Sequence, residues 1–205
     1  MADILAQLFS SEALVKIMRL FLMNPLEVFD AADVSKRAKI NLRKAKYEIN
    51  LLSRVGLINS GVKQVEIVFK KTKKTKVKKI KGWVLNPDFA LLGQLKNLVL
   101  NAAPIARDKL FGKFKSLGSR LKLVVLSGVF MDNPEARTDV FVVGDSISRS
   151  RLEAVLHSVE SSIGKELNYA SFSTEEFLYR MSMYDQFIRE IMESPHEKLL
   201  NKLNI

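Results

Sequence analysis

Apolar positions recur at helical spacing through the first part of the chain. Ala2 to Phe9 reads as a short helix. Ser10 or Ser11 reads as the N-cap of the next, with Glu12 in its first turn. Ala13 to Met23 follows and is apolar except at Lys16 and Arg19. Those two lie three apart, so one narrow polar stripe is expected to face out and the rest to be buried. Asn24-Pro25 ends this helix. Asp30 is the next N-cap, opening Ala31 to Ala38, and Asn41 caps a helix over Leu42 to Arg54. Its apolar face is Ala45, Ile49, Leu52 and Val55, and Gly56 stands where a left-handed helix-ending residue belongs.

The period then shifts towards two. Gln64 to Lys70 alternates as a strand, Thr72 to Thr75 reads as a tip, and Lys76 to Leu85 is a returning strand. Phe89 to Leu100 and Ile105 to Leu117 read as helices separated by Pro104, placed either for a dimer contact or to pack the two halves of the chain. Further on, Lys122 to Phe130, Asp139 to Gly144 and Glu166 to Phe172 read as strands. A helix with Leu152, Val155, Leu156, Val159 and Ile163 on one face ends at Gly164. Ser173 and Glu176 form a capping-box pattern before another helix, and Asp185 to Glu193 is the last. Met181, Met183 and Met192 read as core, His157 as a surface or packing residue, and His196 as part of a frayed C-terminus. The pattern predicts an α+β chain with a small sheet.

Charge divides this chain. The 205 residues carry 33 Lys+Arg against 22 Asp+Glu, a formal net charge of +11. Residues 1–120 hold 24 basic and 9 acidic side chains; residues 121–205 hold 9 and 13. Val62 to Lys81 alone has nine lysines and one acid, Glu66. Such a split predicts two units with different tasks, the basic one facing a polyanion. The chain has no cysteine, which excludes disulfides, thiolate catalysis and cysteine zinc sites; two histidines exclude a multi-histidine metal site. The start lacks the basic residues of a signal peptide, and Ala13 to Met23 is too short to span a bilayer. A soluble, cytoplasmic protein without membrane partners is expected.

Two short helices joined by a tight turn, the second with a basic face, make a helix-turn-helix pattern. The candidate reading face is Asn41, Arg43, Lys44, Lys46, Tyr47 and Asn50. Arg can bond guanine bidentately, Asn can bond adenine, and Lys contacts phosphate. The same residues would equally suit a plain solvated helix face. The following hairpin would be a wing, with Lys70, Lys71, Lys73, Lys74, Lys76 and Lys78 as phosphate contacts. Edge protection by lysine is the simpler use, but it needs one or two lysines rather than nine. Residues 10–100 resemble winged-helix transcription regulators of the ArsR-like type. The resemblance rests on Leu8-Phe9-Ser10-Ser11, Arg19 to Pro25, Ile49 to Ile58 and Trp83-Val84-Leu85-Asn86-Pro87. Many such regulators sense metals or thiols through cysteine and histidine; that mode does not carry over to this chain.

Residues 105–195 resemble the minimal nucleotidyltransferase domains found fused to such regulators. The matching segments are Ser127-Gly128, Asp139 to Asp145, Glu166 to Tyr169 and Ser173 to Phe177. In that family a Gly-Ser turn holds the triphosphate, and an Asp-x-Asp pair with a third carboxylate binds Mg²⁺. Here Val129 replaces the serine, Arg137 falls on the first aspartate, Asp139 on the second, and Asn168 near the third carboxylate. Asp132 or Glu135 are the only substitutes on the intervening loop. Gly128 and Asp139 are therefore expected to be vestiges, with Asp139 paired to Arg137 or capping a turn.

The expectation is thus an N-terminal winged helix-turn-helix over residues 1–100 and a nucleotidyltransferase-like domain over 101–205, catalytically inactive. The implied function is DNA-binding transcriptional regulation, with double-stranded DNA and a second copy as partners and no cofactor. The alternative is an active Mg²⁺-dependent nucleotidyltransferase acting on nucleic acid or protein. A third option is a general polyanion binder for RNA or membranes, but Phe69 and Trp83 are the only aromatics near the lysine run, and a membrane-surface helix is missing.

Overall fold

The computed structural model describes residues 4–68, 75–101, 107–133 and 135–205. The fold is mixed α+β and divides into two compact units, residues 1–104 with 160–165, and residues 105–159 with 166–205. A single boundary near residue 100 does not anticipate the return of 160–165 to the first unit. Among the described residues, no helix is long and apolar enough to cross a membrane.

The first unit is built on helix α2 (Glu12–Met23), which follows the short α1 (Ile4–Leu8). Ser11 is the N-cap of α2, its hydroxyl accepting from the Leu14 N–H at 3.1 Å. Ile17, Leu20, Phe21 and Leu22 are fully buried. Lys16 lies beside Glu12 at 2.8 Å, as a polar stripe requires. Arg19 departs from that stripe: it is 5% exposed, and its guanidinium donates to the carbonyls of Val99 at 3.4 Å and Ser162 at 3.1 Å. A buried arginine needs such acceptors, and they lie 80 and 143 residues away, beyond the reach of any local pattern.

Helices α3 (Ala31–Ala38) and α4 (Leu42–Arg54) pack on α2. Asp30 and Asp33 form a reciprocal capping box on α3. The turn between the helices is Lys39-Ile40-Asn41, with Lys39 left-handed at φ 51° and the Ser35 hydroxyl donating to the Ile40 carbonyl at 2.7 Å. Ala45, Ile49 and Leu52 are buried as the spacing predicts. Val55 is exposed instead, because the helix ends before it and the chain turns at Gly56, φ 82°.

Strand β1 (Ile58–Val68) begins six residues before the expected Gln64, and it pairs in register with β2 (Thr75–Leu85) from Ile58↔Leu85 to Val68↔Thr75. Pairing of Asn59, Ser60 and Gly61 with Val84, Trp83 and Gly82 makes this segment strand. Phe29 adds a third backbone partner, exchanging bonds with Trp83 at 2.9 and 2.8 Å. Gly82 permits this approach, since a Cβ there would stand 2.5 Å from the Phe29 carbonyl oxygen. Asn86 then locks the base of the hairpin to the end of α4. Its backbone N–H donates to Leu57 at 2.9 Å and its amide to Gly56 at 2.8 Å. The expected Phe89–Leu100 helix is shorter: α5 (Leu92–Lys96) passes into a π-helical turn at Asn97–Asn101.

The second unit contains α6 (Arg107–Lys115) and a four-stranded sheet in the order β5-β4-β3-β6. Its strands are β3 (Leu121–Leu126), β4 (Val140–Gly144), β5 (Tyr169–Phe172) and β6 (Glu197–Asn201). Only β4–β5 is parallel, and α7 (Arg149–Ile163) provides the crossover. Helices α8 (Thr174–Ser182) and α9 (Gln186–Glu193) follow β5. Phe141, Phe177, Ile188 and Ile191 pack with Leu123, Val125 and Val143 into one core. The C-terminus is not frayed, because Glu197–Asn201 pairs with the buried β3. Met181 and Met183 are exposed rather than core, since α8 ends at Ser182 and the chain turns through Tyr184.

Two outcomes are expected. Gly82→Ala should lower stability by about 1–3 kcal/mol, the usual range for forced overpacking. Gly61→Ala, whose added Cβ meets only the Val28 and Val84 side chains at 3.1 Å or more, should cost less. Urea unfolding followed by the single tryptophan, Trp83, measures both. The second concerns Asp145, whose carboxylate accepts the Thr174 N–H at 3.0 Å and hydroxyl at 2.9 Å. The Thr174 backbone bond first, and its hydroxyl second, hold the Asp145 pKa below the ordinary 3.8. The unfolded state takes up this proton at higher pH than the folded state, so the contribution is present above 3.8 and is lost as pH falls through the lowered value. Asp145→Asn should flatten the acid limb of the stability–pH curve and leave the neutral region's slope unchanged.

Candidate functional site

Arg43, Lys46, Tyr47 and Asn50 are all exposed on α4. Their spacing of three, four and seven places them on one face, opposite buried Ala45, Ile49 and Leu52. Tyr47 is 68% exposed, so its ring is presented outward rather than packed. Arg54 is also exposed near the end of the helix.

Two residues expected on this face have structural work. The Asn41 side-chain oxygen accepts the Lys44 N–H at 2.8 Å and caps α4. Lys44 is half exposed and lies 3.5 Å from Glu48, a carboxylate that is 2% exposed. Glu48 in turn accepts the Ser11 hydroxyl at 2.6 Å. Removing Lys44 therefore strips a counter-charge from a buried anion as well as a cation from the surface. Glu48 gives no distinct signal in the sequence, since an acid on a basic helix face looks like ordinary i,i+4 pairing.

The hairpin adds further cations. Lys78, Lys79 and Lys81 of β2 are exposed, and the strand's alternation puts Lys78 on the face opposite to Lys79 and Lys81. Lys63 is different: its ammonium pairs with Asp33 and lies 3.8 Å from Asp30, joining β1 to the start of α3. One lysine of the run is thus a structural tie. Lys70, Lys71, Lys73 and Lys74 lie outside the described residues. Lys76 stands on β2 opposite Ile67, and its side chain lies outside the described residues as well. Lys39, exposed in the left-handed turn before α4, was not singled out by the sequence pattern. A basic residue two positions before an N-cap is its only signal.

In the second unit Gly128 and Asp139 do come together. The expected strand past Leu126 does not continue; Ser127 turns the chain into a 3₁₀ turn at Gly128–Met131. Asp139, 6% exposed, accepts the Val129 N–H at 2.7 Å and the Asn168 N–H at 2.8 Å, one on each carboxylate oxygen. Gly128 has φ 55°, and a Cβ there would run into the Asp139 carboxylate. Asp139 is thus the clamp between the β3 turn and the segment entering β5. Of the two roles expected for it, the turn is the one found. Arg137 turns elsewhere, to Glu190 at 3.0 Å.

Compared with protein-family models, curated proteins and solved structures, the chain matches none. The geometry of each unit therefore carries the functional reading.

Asp139→Ala would orphan two backbone N–H groups, a loss of about 2–6 kcal/mol at the usual cost per buried unsatisfied donor. Amide hydrogen exchange should report it directly. Val129 and Asn168 are expected to lose protection in the variant, while the β1–β2 amides of the first unit keep theirs.

Proposed function

We propose that the chain is a DNA-binding transcriptional regulator whose first unit acts as a winged helix-turn-helix. The observation that carries this reading is the exposed face of Arg43, Lys46, Tyr47 and Asn50 on a helix of thirteen residues, followed at once by a lysine-bearing antiparallel hairpin. A helix of this size fits the major groove, where Arg and Asn distinguish guanine and adenine. Lysines on the hairpin strands reach phosphates and supply salt-dependent affinity. Lys70, Lys71, Lys73, Lys74, Lys76 and Lys78 belong to that phosphate set in this proposal, joined by Lys79 and Lys81. The capping role of Asn41 and the Glu48 pairing of Lys44 favour Arg43 and Asn50 as the sequence-reading residues. A homodimer on two half-sites follows from the small footprint of a single reading helix.

The second unit, in this reading, is a nucleotidyltransferase-like domain serving interaction or ligand sensing rather than catalysis. Both oxygens of Asp139 are engaged by backbone N–H groups, and Arg137 puts a cation where a second metal-binding carboxylate would be needed. The two N–H groups take up part of the acceptor capacity of Asp139, and among the described residues no group of three His, Cys, Asp or Glu side chains that could hold a metal ion is found.

Fluorescence anisotropy against duplex fragments over a salt series tests the proposal. Arg43→Ala should weaken the best fragment by about 1–3 kcal/mol and relax its sequence preference. Changing Lys78, Lys79 and Lys81 together to Ala should weaken all duplexes alike and reduce the salt slope by about 0.9 for each phosphate left without its lysine. Equal affinity for duplex, single strand and RNA, with Arg43→Ala no different from wild type, would overturn the reading.

A further inference from the structure

A cleft of about 280 Å³ opens in the second unit between the segment leading into β4 and helix α9. Its wall includes Ser127, Asn133, Arg137, Thr138, Glu190 and Ile191. Thr138 is 4% exposed, and its hydroxyl has no hydrogen-bond partner among the described residues. The Ser127 hydroxyl does not serve it, since that group donates to the Thr138 carbonyl at 2.6 Å. That hydroxyl oxygen is itself enclosed, so the groups the cleft presents to an occupant are the charged ones. The same cleft carries one cation and one anion side by side, the Arg137 guanidinium and the Glu190 carboxylate, 3.0 Å apart and both partly exposed.

That combination selects the charge type of the occupant. A simple anion drawn to Arg137 would face Glu190, and a simple cation drawn to Glu190 would face Arg137. A molecule with both charges can bond each group and leave neither uncompensated. The volume holds about nine water-sized groups, which suits a small metabolite and is tight for a nucleotide. We propose that this cleft binds a free α-amino acid or an amino-carboxylate of similar size. Its carboxylate lies on Arg137 and its ammonium on Glu190. The inference deepens the ligand-sensing part of the proposed function and rests on it for purpose, not for chemistry.

The full chain, without DNA, is titrated calorimetrically with each of the standard amino acids, with acetate and with methylammonium. At least one amino acid should bind with a Kd of about 1 mM or tighter, while acetate and methylammonium alone give no heat. Arg137→Gln and Glu190→Gln should each weaken that binding about tenfold or more. No binding by any amino acid at millimolar concentration overturns the proposal. So does acetate binding as tightly as the amino acids, which would mean an anion site, or binding unchanged in both charge variants. DNA affinity is measured separately, so loss of the DNA reading would not produce any of these results.

Discussion

Two backbone hydrogen bonds between Phe29 and Trp83 join the helices of the first unit to its hairpin. Much else follows from that junction. Phe29 enters the core against Phe21, with ring centroids 5.6 Å apart, so the residue that pairs with β2 also anchors to α2. Gly82 must lack a side chain for the strands to come this close. Lys63, one strand over, pairs with the acids that cap α3. Asn86 closes the other end on the turn after α4. The hairpin is therefore held at its base from three directions, and the lysines beyond that base are presented from a supported platform. Hydrogen bonds of this kind are modest singly, but leaving any of these buried groups unmatched is costly.

The second unit depends on a comparable clamp of a different kind. Asp139 gathers the turn after β3 and the approach to β5 through two N–H groups. A carboxylate at the end of a strand, beside a glycine turn, is also what a metal-dependent transferase uses. The distinction lies in what the oxygens face. Here they face backbone, and the neighbouring Arg137 is drawn to Glu190 on α9. Arg137 and Glu190 together line a cleft that carries both signs of charge.

The candidate nucleic-acid face was largely legible in sequence as a stripe of residues, because helical spacing alone sorts Arg43, Lys46, Tyr47 and Asn50 from Ala45, Ile49 and Leu52. What was not legible is which polar residues are already engaged. Lys63 looks like one more cation of a run and is a tie. Lys44 has a partner that is itself buried by α2 through Ser11. Composition counts such residues alike, while their hydrogen bonds separate them.

The chain's own letters determined its α+β character and the helix starts at Asp30, Asn41, Ser173 and Asp185, whose side chains all accept backbone N–H bonds two or three residues ahead. These are local interactions, closed within one turn, so a short window of sequence contains both partners. Tertiary structure alone decided that β1 begins at Ile58, that the last residues form β6, that Arg19 is buried, and that Asp139 bonds the Val129 and Asn168 N–H groups rather than Arg137. In each of these the partner lies ten or more residues away. Folding supplies the pairing strand or the matching acceptor, and no local preference encodes its position.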